Sequence, residues 1–369
     1  MLDSITAFFQ RVFAAIGRGI GLVVAGLLWP FLAAHGWYQR RNWLIKGPLL
    51  LLLLGIIAFY GQFLWRTQAW HGFDTEFAQA YKFSERVEPA GQPIAAAPGT
   101  CQDSAAVTIV ADLTDKNVNQ NVWISSTLAY KLGLFGMDWD NTPFFDNKAS
   151  FQRGVNQVVR RLAIELADNL GRARGTSGIN SDLQEARGNI QFDEYTWYFG
   201  LSPFGLKTPT PSYYRAAINS WRKFNTDLGQ CNAVFDARAD NLVQLLDRMA
   251  SDLGNTSDIL RRRSEEYNGG WFDTRADDRF WFSFGQLYAQ YAVLQAIRAD
   301  FSNVIRERNL TTVWADMERQ LQAALRIQPA IISNGREDGW IMPNHLSTMG
   351  FYVLRVRSNM VELRGVLDR

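Results

Sequence analysis

A chain of 369 residues is long enough for a membrane segment plus one or two domains with real cores. Its 38 basic and 36 acidic residues leave a formal charge of only +2, and no nucleic-acid motif is present, so nucleic acid is not an expected partner. Aromatic residues make up 13%, thirteen Trp among them, which suits membrane-interface anchoring and helix packing better than a ligand platform.

Residues 1–46 read as a cytoplasmic or interfacial segment. Ile5, Phe8, Phe9, Val12, Phe13 and Ile16 group opposite Ser4, Arg11 and Arg18, an amphipathic helical pattern. The uncharged run over residues 19–38 would also reach across a bilayer, and Gly17, Gly21 and Ala25 are spaced for close helix contact. Its four glycines, Pro30 and His35 lower its hydrophobicity, so an interfacial helix and a second span both stand.

Residues 47–65, GPLLLLLLGIIAFYGQFLW, are clearer. They carry no charge between Lys46 and Arg66 and extend about 28 Å as a helix, close to the hydrocarbon thickness. Pro48 falls in the first turn, where its missing N–H is harmless, and Trp43, Tyr60 and Trp65 occupy interfacial positions. The run starts too far from the N-terminus for a signal peptide, and no small-residue cleavage site follows it. A transmembrane helix is expected. Arg40, Arg41 and Lys46 cluster just before it, so the positive-inside rule keeps that end cytoplasmic and sends the C-terminal part across the membrane, into the periplasm of a two-membrane bacterium.

Residues 66–100 read as a juxtamembrane segment and linker, ending in PAGQPIAAAPGT at 89–100, a linker or extended loop. Residues 101–369 form the expected periplasmic domain. VTIVADL at 107–113 fits a short strand or the opening of a helix. Beyond residue 150 the period is helical. Phe151, Val155, Val158, Leu162 and Leu166 make one stripe; Phe235, Ala239, Leu242, Leu246, Met249 and Leu253 make a second. Phe280, Phe284, Leu287, Tyr291 and Leu294 follow, then Leu310, Trp314, Met317 and Leu321. Leu346, Met349, Val353, Val356, Met360, Leu363 and Leu367 alternate three and four throughout. Helix starts are expected at Pro211-Ser212, Asn255–Asp258 and Pro343-Asn344. Narrow stripes on several helices predict a mainly α, membrane-anchored antiparallel helical bundle with long aromatic and acidic loops.

Those loops are MDWDNTPFFDN (137–147), FDEYTWYFGLSPFG (192–205), NGGWFDTRADDRFWF (268–282) and NGREDGWIMPNH (334–345). Trp139, Asp138, Asp140, Trp271, Asp273, Trp340 and His345 are their candidate interaction residues. Paired carboxylates, Asp138 with Asp140 or Asp273 with Asp277 or Asp278, would be the acid–base option beside Trp139 or Trp271. The simpler reading makes Asp277 and Asp278 first-turn helix acids and Asp138 and Asp140 turn formers. DWDN lacks the further oxygen ligands and glycine of an EF-hand-type calcium loop. His345 reads as a packed residue at a helix start. The chain carries no GxSxG, HExxH or P-loop, so no catalytic residues, cofactor or metal are expected. Cys101 and Cys231, the only cysteines, lack metal spacing; a disulfide between them is open, since nothing local brings the sulfurs together.

CNAVFDARADNLVQLLDRM (231–249), IMPNHLSTMGFYVLRVRSNMVELRGVL (341–367) and FDEYTWYFGLSPFGLKTPTPSYYRAAI (192–218) resemble a family of bacterial inner-membrane proteins catalogued as domain of unknown function 2333. Ala237–Leu242 and Asn344-His345 with Met349 are the most specific elements, and the resemblance extends from the membrane helix to the C-terminus, leaving the first forty residues unmatched. It implies an anchored helical layout in the bacterial inner membrane and no established activity. The expected role is a non-catalytic scaffold or accessory subunit, with the lipid bilayer, other membrane or periplasmic proteins, or further copies of itself as partners. A glycan-binding or glycan-processing domain and a sensor with a partner-supplied output are the alternatives.

Overall fold

A computed structural model describes residues 2–86, 88–172, 178–339 and 341–368. They are mostly helical, with 68% helix against 3% strand. The chain divides into two compact units, Met1–Gln62 and Phe63–Arg369.

The first unit consists of α1 (Leu2–Gln39), which runs through Pro30, and most of α2 (Trp43–Gln68). A turn over residues 40–42 joins them, with the Arg41 guanidinium over the Trp37 ring at 4.8 Å and Lys46 over Tyr38 at 5.7 Å. Gly17–Gln39 and Trp43–Gln68 are each long and apolar enough to cross a membrane by length and composition. Leu49 to Leu54 bury none of their side chains fully, Leu51 being 71% exposed.

The second unit continues with α3 (Ala105–Asp115), α4 (Leu128–Leu132), α5 (Asn147–Glu165) and α6 (Ser181–Ile190). A hairpin of β1 (Phe199–Leu201) and β2 (Phe204–Leu206) interrupts the helices, antiparallel with Phe199 opposite Leu206, inside a stretch expected to be loop. There follow α7 (Thr210–Gly229), α8 (Ala239–Glu266), α9 (Ala276–Asp300), α10 (Ser302–Glu307), α11 (Thr311–Leu325) and α12 (His345–Leu367).

Residues 107–113 are helical, and the reason is tertiary. Ser104 caps α3, and the buried Asp300 carboxylate at the end of α9 accepts from Ser104 Oγ (2.7 Å), Ala105 N (2.8 Å) and Ala106 N (2.9 Å). A carboxylate on the free amides of a helix N-terminus satisfies those donors and complements the dipole. The start expected at Asn255–Asp258 is instead the middle of α8, where the Thr256 hydroxyl bonds back to Asp252 O at 3.1 Å and so leaves the helix intact. Asn344 does cap α12, its Oδ1 accepting from Ser347 N at 2.9 Å. Residues 89–102 are irregular but tied, with Gly91 N donating to Gln102 O (2.7 Å) and Gln102 N to Gln92 O (2.8 Å). Cys101 and Cys231 are bonded, with Cα atoms 5.2 Å apart across a separation of 130 residues.

The apolar stripes of α5, α11 and α12 are buried as their periods require. The narrow stripe expected on α9 is not what the fold uses. That helix is buried on nearly every side, Gln286 and Gln290 included, because α3, α5, α11 and α12 all pack against it. Its approach to α5 is backbone to backbone. A Cβ on Gly154 would lie 2.0 Å from Phe282 O, and one on Gly285 would lie 2.2 Å from Phe151 O.

Gly285→Ala is therefore expected to force the two helices apart and to destabilise the unit by about 1–3 kcal/mol, the usual range for overpacking. Thermal denaturation of the detergent-solubilised protein measures it. Gly365→Ala, on α12 with open space around its Cβ, should leave the midpoint unchanged or slightly raised.

Candidate functional site

Three of the nominated loop residues, Trp139, Asp273 and His345, make contacts that hold the fold. Trp139 is 0% exposed, donates from Nε1 to Ala129 O at 2.8 Å and packs on Phe63 with ring centroids 4.8 Å apart. Asp138 is exposed and caps nothing. Trp271 is half exposed on its loop, away from the cleft described below. Asp273 is buried in an ion pair with Arg263 and accepts from Asn334 Nδ2 at 2.8 Å; the same amide donates to Arg263 O (3.0 Å) and Tyr267 O (2.8 Å). Asn334 and Gly270 exchange both backbone hydrogen bonds, so the loops at 268–275 and 331–345 clasp the end of α8. His345 belongs to that clasp: its Nδ1 accepts from Ser333 N at 2.9 Å and its own N–H donates to Ser333 O. Trp340 lies outside the described residues.

Asp140 is different. Its loop leads into α5, and α5 lies against the start of α9, so Asp140, Asp146 and Asp278 converge with one carboxylate oxygen of each within 4.8 Å of the others. Asp140 and Asp278 were separate suggestions from two different loops; the α5–α9 approach brings them together. Asp277 is buried beside Asp278 in the first turn of α9, where the sequence placed both acids. Asp140 accepts from Tyr130 Oη at 2.9 Å, and Asp278 from Ser150 Oγ at 2.8 Å. The Arg153 guanidinium holds Ser150 Oγ (2.9 Å) and Tyr195 Oη (2.9 Å).

The cluster opens into a cleft of about 480 Å³ whose lining includes Asp140, Arg153, Gln157, Glu194, Asp278 and Arg279. Two lining arginines are committed to the fold. Arg160 pairs with Glu194 at 3.1 Å and donates from Nε to Ile190 O at 2.9 Å, and Arg161 grips Asp252 with two bonds of 2.8 and 2.9 Å. Arg279 stands exposed at the rim. Among the described residues, Arg153 Nε and Gln157 Oε1 are shielded from solvent without a protein partner.

Burial, then the neighbouring Asp278, pushes the Asp146 carboxyl far above the usual carboxylate range. Burial followed by the Asp278 charge takes Asp277 up to about 8, and burial raises Asp278 itself. A corner this reluctant to hold separate negative charges suits a shared proton or a bound cation. Asp146, Ser150, Arg153 and Gln157 escaped notice in the sequence. The available signal was the polar stripe Arg153, Gln157, Arg160 and Arg161, running along α5 at helical spacing beside the apolar one.

Fold and cleft together define a helical domain with a charge-rich polar cavity. A sequence profile of the family described as "Uncharacterized protein conserved in bacteria (DUF2333)" matches residues 105–268 and 260–369, and the chain belongs to that family. No curated protein and no solved structure matches the chain.

Burial lowers the His345 pKa below its ordinary 6.5. The folded state holds the ring neutral, so its contribution is full above about pH 6.5 and is lost as pH falls toward the depressed folded-state value. Asp277 and Asp146, raised by burial, act in the opposite sense over the same range, so the check is a difference: from pH 7.5 to 5.5 the thermal midpoint of His345→Gln should rise relative to that of the wild type.

Proposed function

We propose that the protein is a membrane-anchored component of the bacterial envelope whose second unit lies outside the cytoplasm and recognises a polar, anionic ligand in the α5–α9 cleft. The observation that carries the reading is the pair of orphaned polar atoms in the cleft lining, Arg153 Nε and Gln157 Oε1, beside the exposed Arg279. Buried polar groups are normally partnered, and a guanidinium donor with a nearby amide acceptor fits a carboxylate or phosphate that also carries a hydroxyl. Anchoring is supported by the uncharged length of α2, and its direction by Arg40, Arg41 and Lys46 at the turn before it. A Cys101–Cys231 bond suits an oxidising compartment on the far side. The role is recognition within a larger envelope assembly, in company with other membrane or periplasmic proteins.

Two measurements test this. Membrane-impermeant maleimide should label a cysteine placed at residue 369 in intact spheroplasts, and protection there would overturn the sidedness. A cysteine at residue 2 is labelled only if α1 also spans. Inorganic phosphate and pyrophosphate should raise the thermal midpoint saturably, and Arg279→Ala should abolish the rise without lowering the midpoint in buffer alone. An anion response that survives Arg279→Ala, or none in the wild type, would contradict recognition in this cleft.

A further inference from the structure

We infer that the corner of the cleft where Asp140, Asp146 and Asp278 converge binds one hard divalent cation. Convergence alone, one oxygen from each residue within 4.8 Å of the others, is not the argument, since acidic groups often meet without an ion. The second observation is Asp146 itself. It is 0% exposed, and among the described residues neither of its carboxylate oxygens has a donor other than the neighbouring Asp278 carboxyl. Asp140 has Tyr130 Oη and Asp278 has Ser150 Oγ; Asp146 has no such donor, although it points into the same corner.

Lys148, Arg153 and Arg275 make their hydrogen bonds to groups other than Asp146. Lys148, two residues along, sends its ammonium to Arg66 O (3.1 Å) and Ala69 O (2.6 Å). Arg153 reaches Ser150 and Tyr195, and Arg275 reaches Asn141 Oδ1 at 3.3 Å. A fully buried carboxylate without a donor is costly, and a cation at its open oxygens removes that cost for all three acids at once. The donor set is carboxylate oxygen only, which selects Ca²⁺, Mg²⁺ or Mn²⁺ over metals that favour histidine or cysteine. Asp140 and Asp278 line the cleft, so the ion would have an entry path, and positions facing the cavity would remain for water or for a ligand oxygen. The inference rests on the cleft being the working site, as in the proposed function, but not on the anion.

The competing account is a proton shared between Asp146 and Asp278. The full chain in detergent, stripped with EDTA, is titrated calorimetrically with MnCl₂, CaCl₂ and MgCl₂, and Mn²⁺ occupancy is read by electron paramagnetic resonance. The expected result is one cation per chain with a raised thermal midpoint. Asp146→Asn and, separately, Asp140→Asn should each weaken binding by at least about tenfold, as loss of a coordinating group does. Asp138→Asn, exposed on the same loop, should bind like the wild type. If Asp146→Asn does not fold, the half-buried Asp140 decides. Absence of binding up to about 1 mM, the weak end for extracytoplasmic calcium modules, overturns the inference in favour of the shared proton. So does wild-type affinity in both Asn variants. Arg279→Ala separates the two readings: loss of the anion response with cation binding intact leaves this site standing, and an intact anion response without cation binding removes it.

Discussion

The second unit is organised by the close approach of α5 and α9, made possible by Gly154 on one helix and Gly285 on the other. Each glycine leaves room for a carbonyl of the other helix, Phe282 O and Phe151 O respectively, so the two backbones touch without intervening side chains. Two consequences follow from so close an approach. It places α9 deep enough to be covered on every side, which is why that helix carries Gln286 and Gln290 in its interior as well as its apolar residues. It also turns α5 so that Phe151, Val155, Val158 and Leu162 enter the core while Arg153, Gln157, Arg160 and Arg161 face the cleft. Ser150 and Asp278, one turn before Gly154 and Phe282, meet across the same crossing at 2.8 Å.

Against that frame, the treatment of buried acids is uneven. Asp300 has three donors at the head of α3, and although burial still lifts it to about 6, every one of those bonds favours the carboxylate. Asp252 has both arms of Arg161, Asp273 has Arg263 and Asn334, and Glu165 has Arg248 at 2.9 Å and the Asn169 amide. The fold thus neutralises acids wherever they serve structure, as the cost of buried unpaired charge demands. Asp146 breaks this pattern, and Asp277 Oδ1 beside it also lacks a partner among the described residues. The rule is kept at four sites and broken at this corner of the cleft.

Residues 47–65 were legible because an uncharged run of that length needs no tertiary context, and α5, α11 and α12 were legible because each buries one face. The period of α9 misled for the opposite reason: a helix buried all round has no single stripe to read. Residues 107–113 stayed ambiguous between strand and helix because the group that favours the helix, Asp300, lies 194 to 196 residues away. In the candidate site, Asp140 and Asp278 stood out as acids in aromatic loops, but their meeting depends on two glycines that look unremarkable in the sequence. Asp146 was the least visible. Nothing in TPFFDNK distinguishes a turn-forming aspartate from a carboxylate buried without a donor.

The loop between α4 and α5 carries two kinds of contact within a few residues. Trp139 packs on Phe63 and the Phe144 carbonyl accepts from Gln68 Nε2 at 2.9 Å, both on the last turns of α2, while Lys148 at the start of α5 covers the carbonyls of Arg66 and Ala69. Asp140 and Asp146, interleaved with those residues, supply two of the three carboxylates at the corner of the cleft. A carbonyl-capping ammonium and a packed tryptophan fix the end of a helix, whereas carboxylates at close range push apart until something neutralises them. Neutralising the cluster and seating the end of α2 therefore act on the same stretch of backbone.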